Sequence, residues 1–355
     1  MKENFRHREE INAIPSYVAG KPASNEGYKM SSNENAFGPL PQAIEALHQE
    51  TDYYLYPEPF AHSLREALAK FHSIDSNKIL TGCGGLSIIY QVFDAFCTDT
   101  EHEIIYAWRS FEAYPIAATS ANATVREIPL TVTGDHDLET MLKAVNDKTR
   151  LIVLCSPNNP TGTIITKTDF ENFMDKVPSD IPVLLDEAYY EFVDDETAVR
   201  GDQYLAKYQN LMCLRTFSKA YGLAGLRVGY LLTSPELATY LGKISRVFEV
   251  SSAALTAAKT SLKHHKLAME RINKIIKMRE DLSAKIENTP WQKYLTKSQG
   301  NFIWLQLDEN TSNFVNHLTN FNISARPFPE GVRVTVATAE ANAKFLEALT
   351  TFRYN

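Results

Sequence analysis

Apolar positions in this chain come either in short solid runs or at three- and four-residue spacing. The apolar-rich runs at 78–81, 103–107, 151–155, 183–185, 211–214 and 228–232 have the length of buried strands, and the more polar 124–128 takes its place as a strand in the same rhythm. Helix-length segments precede and separate them, among them 42–50 and 64–71 before the first run and 86–96 after it, and Pro41 opens the first segment. This βαβ rhythm predicts a largely parallel sheet. Beyond residue 232 the pattern turns helical: 235–247 reads as one helix. Leu267, Ile272, Ile275, Ile276, Met278, Leu282 and Ile286 mark the core-facing stripe of a long one. The runs 302–307, 323–328 and 332–337 then predict the sheet of a smaller domain, closed by a helix over 342–349. The fold class expected is α/β, with a mainly parallel seven-stranded sheet in a large domain plus a smaller α+β domain. Its expected division is 1–45 as an arm and part of the small domain, 46–262 as the large domain and 263–355 as the small one.

Composition narrows the class. Residues 1–30 are polar and punctuated by Pro15, Gly20, Pro22 and Gly27, as in an arm lying over a surface. With 355 residues, 44% of them hydrophobic, the chain can bury a large core, yet no stretch approaches the roughly 20 apolar residues of a membrane span. A formal charge of −7 argues against a nucleic-acid partner. The nine histidines form no ligand-spaced cluster, so no metal is expected, and the adjacent His264 and His265 read as solvated. Cys83, Cys97, Cys155 and Cys213 stand singly, as reduced thiols do in a cytoplasmic protein. Residues 1–10 are charged and lack an apolar signal core, which points away from export.

The chemistry concentrates between the runs at 211–214 and 228–232, in Arg215-Thr216-Phe217-Ser218-Lys219-Ala220-Tyr221-Gly222-Leu223-Ala224-Gly225-Leu226-Arg227-Val228-Gly229-Tyr230. A lysine amine is nucleophilic only when deprotonated. From an ordinary pKa of about 10.4, Lys219 needs burial or a cationic neighbour to react near neutral pH, and Arg227 could be that neighbour. The hydroxyls of Thr216 and Ser218 with the Arg227 guanidinium would make a compact anion site, best matched by a phosphate. Taken alone, a Ser-Lys pair is an ordinary surface turn. A Schiff-base lysine beside a phosphate site is what pyridoxal phosphate requires. The whole stretch resembles the cofactor-lysine segment of aspartate-aminotransferase-type enzymes, most closely the histidinol-phosphate aminotransferase family, where Ser-Lys-Ala-Phe-Gly-Leu-Ala-Gly-Leu-Arg is typical. Tyr221 here replaces the phenylalanine.

The resemblance extends in family order from about Ile14 to Leu349 and implies the aspartate-aminotransferase-like fold, pyridoxal 5'-phosphate fold type I. Ile14-Pro15-Ser16-Tyr17-Val18-Ala19-Gly20-Lys21 matches a segment whose tyrosine faces the substrate, although Tyr17 merely docking the arm fits equally. Ser31-Ser32-Asn33-Glu34-Asn35-Ala36-Phe37-Gly38-Pro39 is close to Asn-Glu-Asn-Pro-x-Gly-Pro, which assigns Asn35 to the substrate. Tyr56-Pro57 matches a Tyr-Pro-Asp/Glu segment whose tyrosine reaches the neighbouring subunit's phosphate. Tyr56 of the partner subunit would then complete each site in a homodimer; three tyrosines in four residues also suit interface packing. In Gly82-Cys83-Gly84-Gly85, Gly84, Gly85 and Leu86 would offer N–H donors to the phosphate at a helix N-terminus. The family's Gly-x-Gly-Ser is lost there, as Gly85-Leu86 replaces the hydroxyl.

The same resemblance assigns Phe111, in Trp108-Arg109-Ser110-Phe111-Glu112-Ala113-Tyr114-Pro115, to stacking on the cofactor ring; Phe111 or Tyr114 as core filler is the alternative. This wording looks like the aromatic amino acid (phenylalanine) aminotransferases within the family. Asn159, in Ser156-Pro157-Asn158-Asn159-Pro160-Thr161-Gly162, would bond the cofactor's phenolic oxygen together with Tyr189. Asp186-Glu187 ends a buried strand and alone is compatible with a helix cap or a magnesium ligand. Beside Lys219 and Asn159, Asp186 is the expected partner of the pyridinium nitrogen, and Glu187 is expected to be structural. Arg333, in Gly331-Val332-Arg333-Val334-Thr335-Val336, would grip the substrate carboxylate, and Arg326 would lie at the distal end of the substrate or else be a solvated edge residue.

The activity so implied is transamination of an aromatic amino acid (phenylalanine, tyrosine or tryptophan) with 2-oxoglutarate, with Lys219 as the proton-transferring amine. Histidinol phosphate is the second donor. A lyase or decarboxylase on the same scaffold, and a non-catalytic cofactor-binding regulator, are the rivals from other classes.

Overall fold

The computed structural model describes residues 8–12, 14 and 27–353. Strand β1 (Tyr28–Lys29) precedes seven strands that form one sheet: β2 (Ile79–Gly82), β3 (Glu103–Trp108), β4 (Thr124–Pro129), β5 (Thr149–Cys155), β6 (Val183–Asp186), β7 (Leu211–Thr216) and β8 (Gly229–Thr233). Their order is β2-β8-β7-β6-β5-β3-β4, parallel except for β8, which runs antiparallel to both neighbours. The C-terminal ends of β2, β3, β5, β6 and β7 therefore lie along one edge, where sheets of this kind bind ligands.

Alternating side chains explain why the runs are solidly apolar. Ile104, Tyr106, Leu151, Val153, Leu184 and Met212 pack on one face with Ile88, Ile89, Val92 and Phe93 of the helix Gly84–Phe96. Ile105, Ala107, Ile152, Leu154, Val183, Leu185 and Leu211 belong to the core on the other face. Both faces of the central strands are buried, so neither parity there can be polar, whereas the edge strand β4 leaves Thr124, Arg126 and Glu127 exposed.

The remaining strands are β9 (Leu295–Thr296), β10 (Phe302–Gln306), β11 (Ile323–Ser324), β12 (Arg326–Phe328) and β13 (Gly331–Thr335). They form an antiparallel sheet β12-β13-β10-β9 and a separate parallel pair β1-β11. The expected single strand over 323–328 is thus two, broken at Ala325 and pairing in different directions. The 23-residue helix His265–Glu287 buries Ala268, Ile272, Ile275, Leu282 and Ile286 along its stripe. The helix expected over 235–247 ends at Gly242, and a second helix, Ser252–Lys263, follows, capped by the Ser251 hydroxyl at the Ala254 N–H. His265, expected to be solvated, is half-buried, with Nδ1 3.1 Å from the Tyr221 hydroxyl. Among the described residues no helix is long and apolar enough to cross a membrane, and no cluster of three His, Cys, Asp or Glu side chains is placed to hold a metal ion.

Candidate active site

Lys219 lies three residues beyond β7, in a turn that closes at Gly222, where φ is +70° and a Cβ would press on the backbone of Gly38. Only glycine fits such a turn without strain. The Lys219 amine donates to the Ser32 carbonyl at 2.9 Å and lies 5.8 Å from the centre of the Tyr189 ring. Burial, helped by the positive charges of Arg333 and Arg227, brings its pKa down to about 7. The sequence motif is thereby converted into an amine that is largely uncharged just above neutrality.

Asp186 ends β6 and is 4% exposed. The Tyr114 hydroxyl donates to Oδ2 at 2.7 Å and the Ala188 N–H to Oδ1 at 3.0 Å. Burial nevertheless raises its pKa to about 6. Cys155, beside Asp186 in the register of β5 and β6, leads into the turn that carries Asn159. Asn159 accepts a hydrogen bond from Arg333, whose other terminal nitrogen donates to the Ser31 carbonyl at 2.7 Å. Tyr189 accepts from the Asn33 side-chain amide at 2.9 Å, and burial pushes its pKa up to about 12.

The expected phosphate end is assembled from two loops. The Thr216 hydroxyl donates to Ser218 Oγ at 2.9 Å, and Arg227, itself at φ +55°, donates to the same oxygen at 3.4 Å. A Cβ on Gly84, where φ is +79°, would collide with the Arg227 guanidinium, so glycine there lets the arginine lie against the start of the helix. Gly85 and Leu86 present the first turn of that helix to the same space.

One cavity of about 240 Å³ collects these groups: Gly85, Leu86, Thr216, Ser218, Lys219 and Arg227 at one end, Asp186, Asn159, Tyr189 and Phe111 along its walls, and Arg326 and Arg333 at the other end. Gly84 stands behind Arg227. Asn35 does not line it: its amide donates to the carbonyls of Lys219 and Ala220, at 3.3 and 2.7 Å, and so shapes the lysine turn. Tyr56 is 83% exposed and stacked on Phe248 at 4.7 Å, away from the cavity of its own chain. Tyr17 lies outside the described residues. A larger groove of about 1260 Å³, lined in part by Asp135, His136, Lys176 and Lys297, contains none of the expected site residues.

Three contributors escaped the sequence reading. Asn33, two residues before the Asn35 assigned to the substrate, reaches Tyr189; Tyr114 supports Asp186; and Glu112 pairs with Arg326. Each sits within three residues of a position that the motifs singled out, so the segments were visible and the choice of residue within them was not.

The cavity fits pyridoxal phosphate: an amine of depressed pKa, a buried carboxylate at an adjacent strand end, and a cradle of N–H, hydroxyl and guanidinium donors that a Cβ at Gly84 would spoil. Such a site on such a sheet is that of a pyridoxal-phosphate-dependent enzyme. Residues 25–349 match the family aminotransferase class I and II, and the chain belongs to that family. It is 43% identical over 343 residues to an aromatic amino acid aminotransferase of Corynebacterium glutamicum, covering 96% of this chain and 97% of the relative. It is 40% identical over 351 residues to one of Streptomyces avermitilis, covering 98% and 97%. Among solved structures, histidinol-phosphate aminotransferase from Sinorhizobium meliloti in complex with pyridoxal-5'-phosphate superposes with a TM-score of 0.86 at 24% identity, covering 97% of this chain and 96% of that one. L-threonine-O-3-phosphate decarboxylase from Porphyromonas gingivalis gives 0.78 at 26%, covering 92% and 99%.

Proposed function

We propose that this enzyme transfers the amino group of an aromatic amino acid to an oxo acid, 2-oxoglutarate in particular. The observation that carries the transamination reading is the buried Lys219 amine in one cavity with Asp186 and Arg333. The aromatic donor is supported by relatives of that name at 40–43% identity over nearly the full chain. When bound, pyridoxal phosphate supplies an electron-withdrawing ring and carries the amino group between substrates. Lys219 would hold it covalently. Thr216, Ser218, Arg227 and the N–H groups of Gly85 and Leu86 would receive its phosphate, and Asn159 and Tyr189 its phenolic oxygen. Asp186, positioned by Tyr114 and the Ala188 N–H, would meet the ring nitrogen, with Phe111 against the ring face.

The protein's own part in the reaction is orientation and proton movement. Arg333 would take the substrate carboxylate in its fork, which fixes the α-carbon relative to Lys219. Once the substrate's own amino group has taken the place of Lys219 on the cofactor, the freed Lys219 amine would take the proton from that carbon and return it on the same face. Ile89, Leu214 and Ala188 line the cavity without offering water a partner.

We further propose a homodimer in the cytoplasm. Tyr53, Tyr54, Leu55 and Tyr56, with Val247 and Phe248, are exposed apolar side chains in two neighbouring segments, which suits a subunit interface. The four unpaired cysteines suit a reducing compartment. Histidinol phosphate is the second donor, favoured by the paired arginines at the substrate end. Specific rates with phenylalanine, tyrosine and histidinol phosphate, each with 2-oxoglutarate, separate the two. Higher specificity for the amino acids is expected, and strong preference for the phosphate ester would overturn it. Oxo acid or amine formed without glutamate would instead identify a lyase or decarboxylase.

A further inference from the structure

Two ion pairs join the segment after β3 to the hairpin β12–β13. Arg109 grips Glu330 through two bonds of 3.0 and 2.7 Å, at the hairpin turn. Glu112 takes Arg326 through one oxygen, at 3.2 and 2.6 Å from its Nε and terminal nitrogen. Only the second pair lines the cavity. Arg326 is directly opposite Arg333 in the register of β12 and β13, so two guanidiniums stand side by side at the substrate end. Like charges so placed repel, and the Glu112 carboxylate offsets one of them. Arg333 donates to the Asn159 side-chain oxygen and to the Ser31 carbonyl, which orient it toward the cavity.

We propose that Glu112 is a specificity-determining residue: by occupying Arg326 it limits the anion-binding capacity of the substrate end to a single carboxylate. The inference rests on the transamination reading above. A donor with one carboxylate and an uncharged ring needs Arg333 alone. A phosphate dianion, or a second carboxylate, calls on both guanidiniums; it must displace Glu112 and then lie beside that displaced negative charge. Glu112 thus acts through Arg326, and its influence falls on binding of the more highly charged ligands.

The test compares holoenzymes of the wild type, Glu112→Gln, Glu112→Asp and Glu330→Gln, by kcat/KM with phenylalanine, glutamate and histidinol phosphate as donors. In Glu112→Gln the ratios of glutamate to phenylalanine and of histidinol phosphate to phenylalanine are expected to rise about tenfold, through KM more than kcat. Glu112→Asp, which keeps the charge, is expected to fall between that variant and the wild type. Glu330→Gln removes the neighbouring pair outside the cavity and is expected to leave both ratios unchanged. Unchanged ratios in Glu112→Gln, an equal shift in Glu330→Gln, or loss of cofactor from Glu112→Gln would each overturn the proposal, the last two by assigning the pair to holding the hairpin. A wild-type enzyme that turns over none of the three amines fails the underlying reading and the inference together. Unchanged ratios in an active enzyme fail the inference alone.

Discussion

At Lys219 the decisive quantity is the proton affinity of one amine. Burial beside Arg333 and Arg227 puts its pKa near 7, so the uncharged, nucleophilic form dominates above that pH and is lost below it. The rate at which apoprotein captures pyridoxal phosphate is therefore expected to fall as pH drops through about 7, and stopped-flow absorbance between pH 5.5 and 9 would follow it. A rate flat across that range would contradict the assignment. Asp186 presents the complementary case, a carboxylate that burial raises to about 6 and that the Tyr114 hydroxyl partly restrains. Tyr114→Phe is expected to lower turnover by about tenfold with little change in fold, measured as kcat against the circular-dichroism melting point. The motifs disclosed Lys219, Asp186 and Arg333 because each carries a residue type that its chemistry demands. They could not separate Asn33 from Asn35, two amides in one irregular loop, since no periodicity governs which way a loop side chain points. Tyr221 and His265 are a second such case: the hydroxyl by which the lysine turn departs from the family pattern meets a histidine 44 residues away.

Among the elements, the loop from β2 into the helix Gly84–Phe96 has the least latitude. Gly84→Ala would need a Cβ where the Arg227 guanidinium lies, at a φ that alanine resists. The expected outcome is at least a tenfold weaker affinity for pyridoxal phosphate, read by titrating apoprotein, with the fold retained. Behind the site, Arg215 is buried against Glu187 at 2.9 Å and also meets Asp202 at 3.1 Å. Glu187→Leu leaves that guanidinium short of a buried partner and is expected to cost about 3 kcal/mol in urea denaturation. The central strands were legible because both of their faces are buried and read as apolar runs, while the exposed edge strand β4 followed from its place in the βαβ rhythm. Helix ends were less so: one helix ends at Gly242 that periodicity alone carried to 247, and the small buried alanines of Ser252–Lys263 gave no strong stripe. The break at Ala325 was also hidden, because pairing partners, and not local pattern, decide which sheet a strand joins.

For the whole molecule, the question left by a single chain is what covers its aromatic patch. Tyr54 and Tyr56 are each 83% exposed, far more than isolated surface aromatics need to be. Light scattering is expected to give twice the chain mass, and Leu55→Asp to give a monomer that binds pyridoxal phosphate more weakly; a fully active monomer would contradict the shared site. The topology, with β2, β3, β5, β6 and β7 ending along one edge, brings Leu86, Phe111, Asn159, Asp186 and Lys219 to one cavity, to which the hairpin β12–β13 adds Arg326 and Arg333, and that gathering matters only if the lysine there bears the cofactor. Borohydride reduction of the holoprotein followed by peptide mapping tests this most directly. The expected result is a pyridoxyl label on the peptide containing Lys219 and on no other lysine. An unlabelled protein, or a label elsewhere, would contradict it.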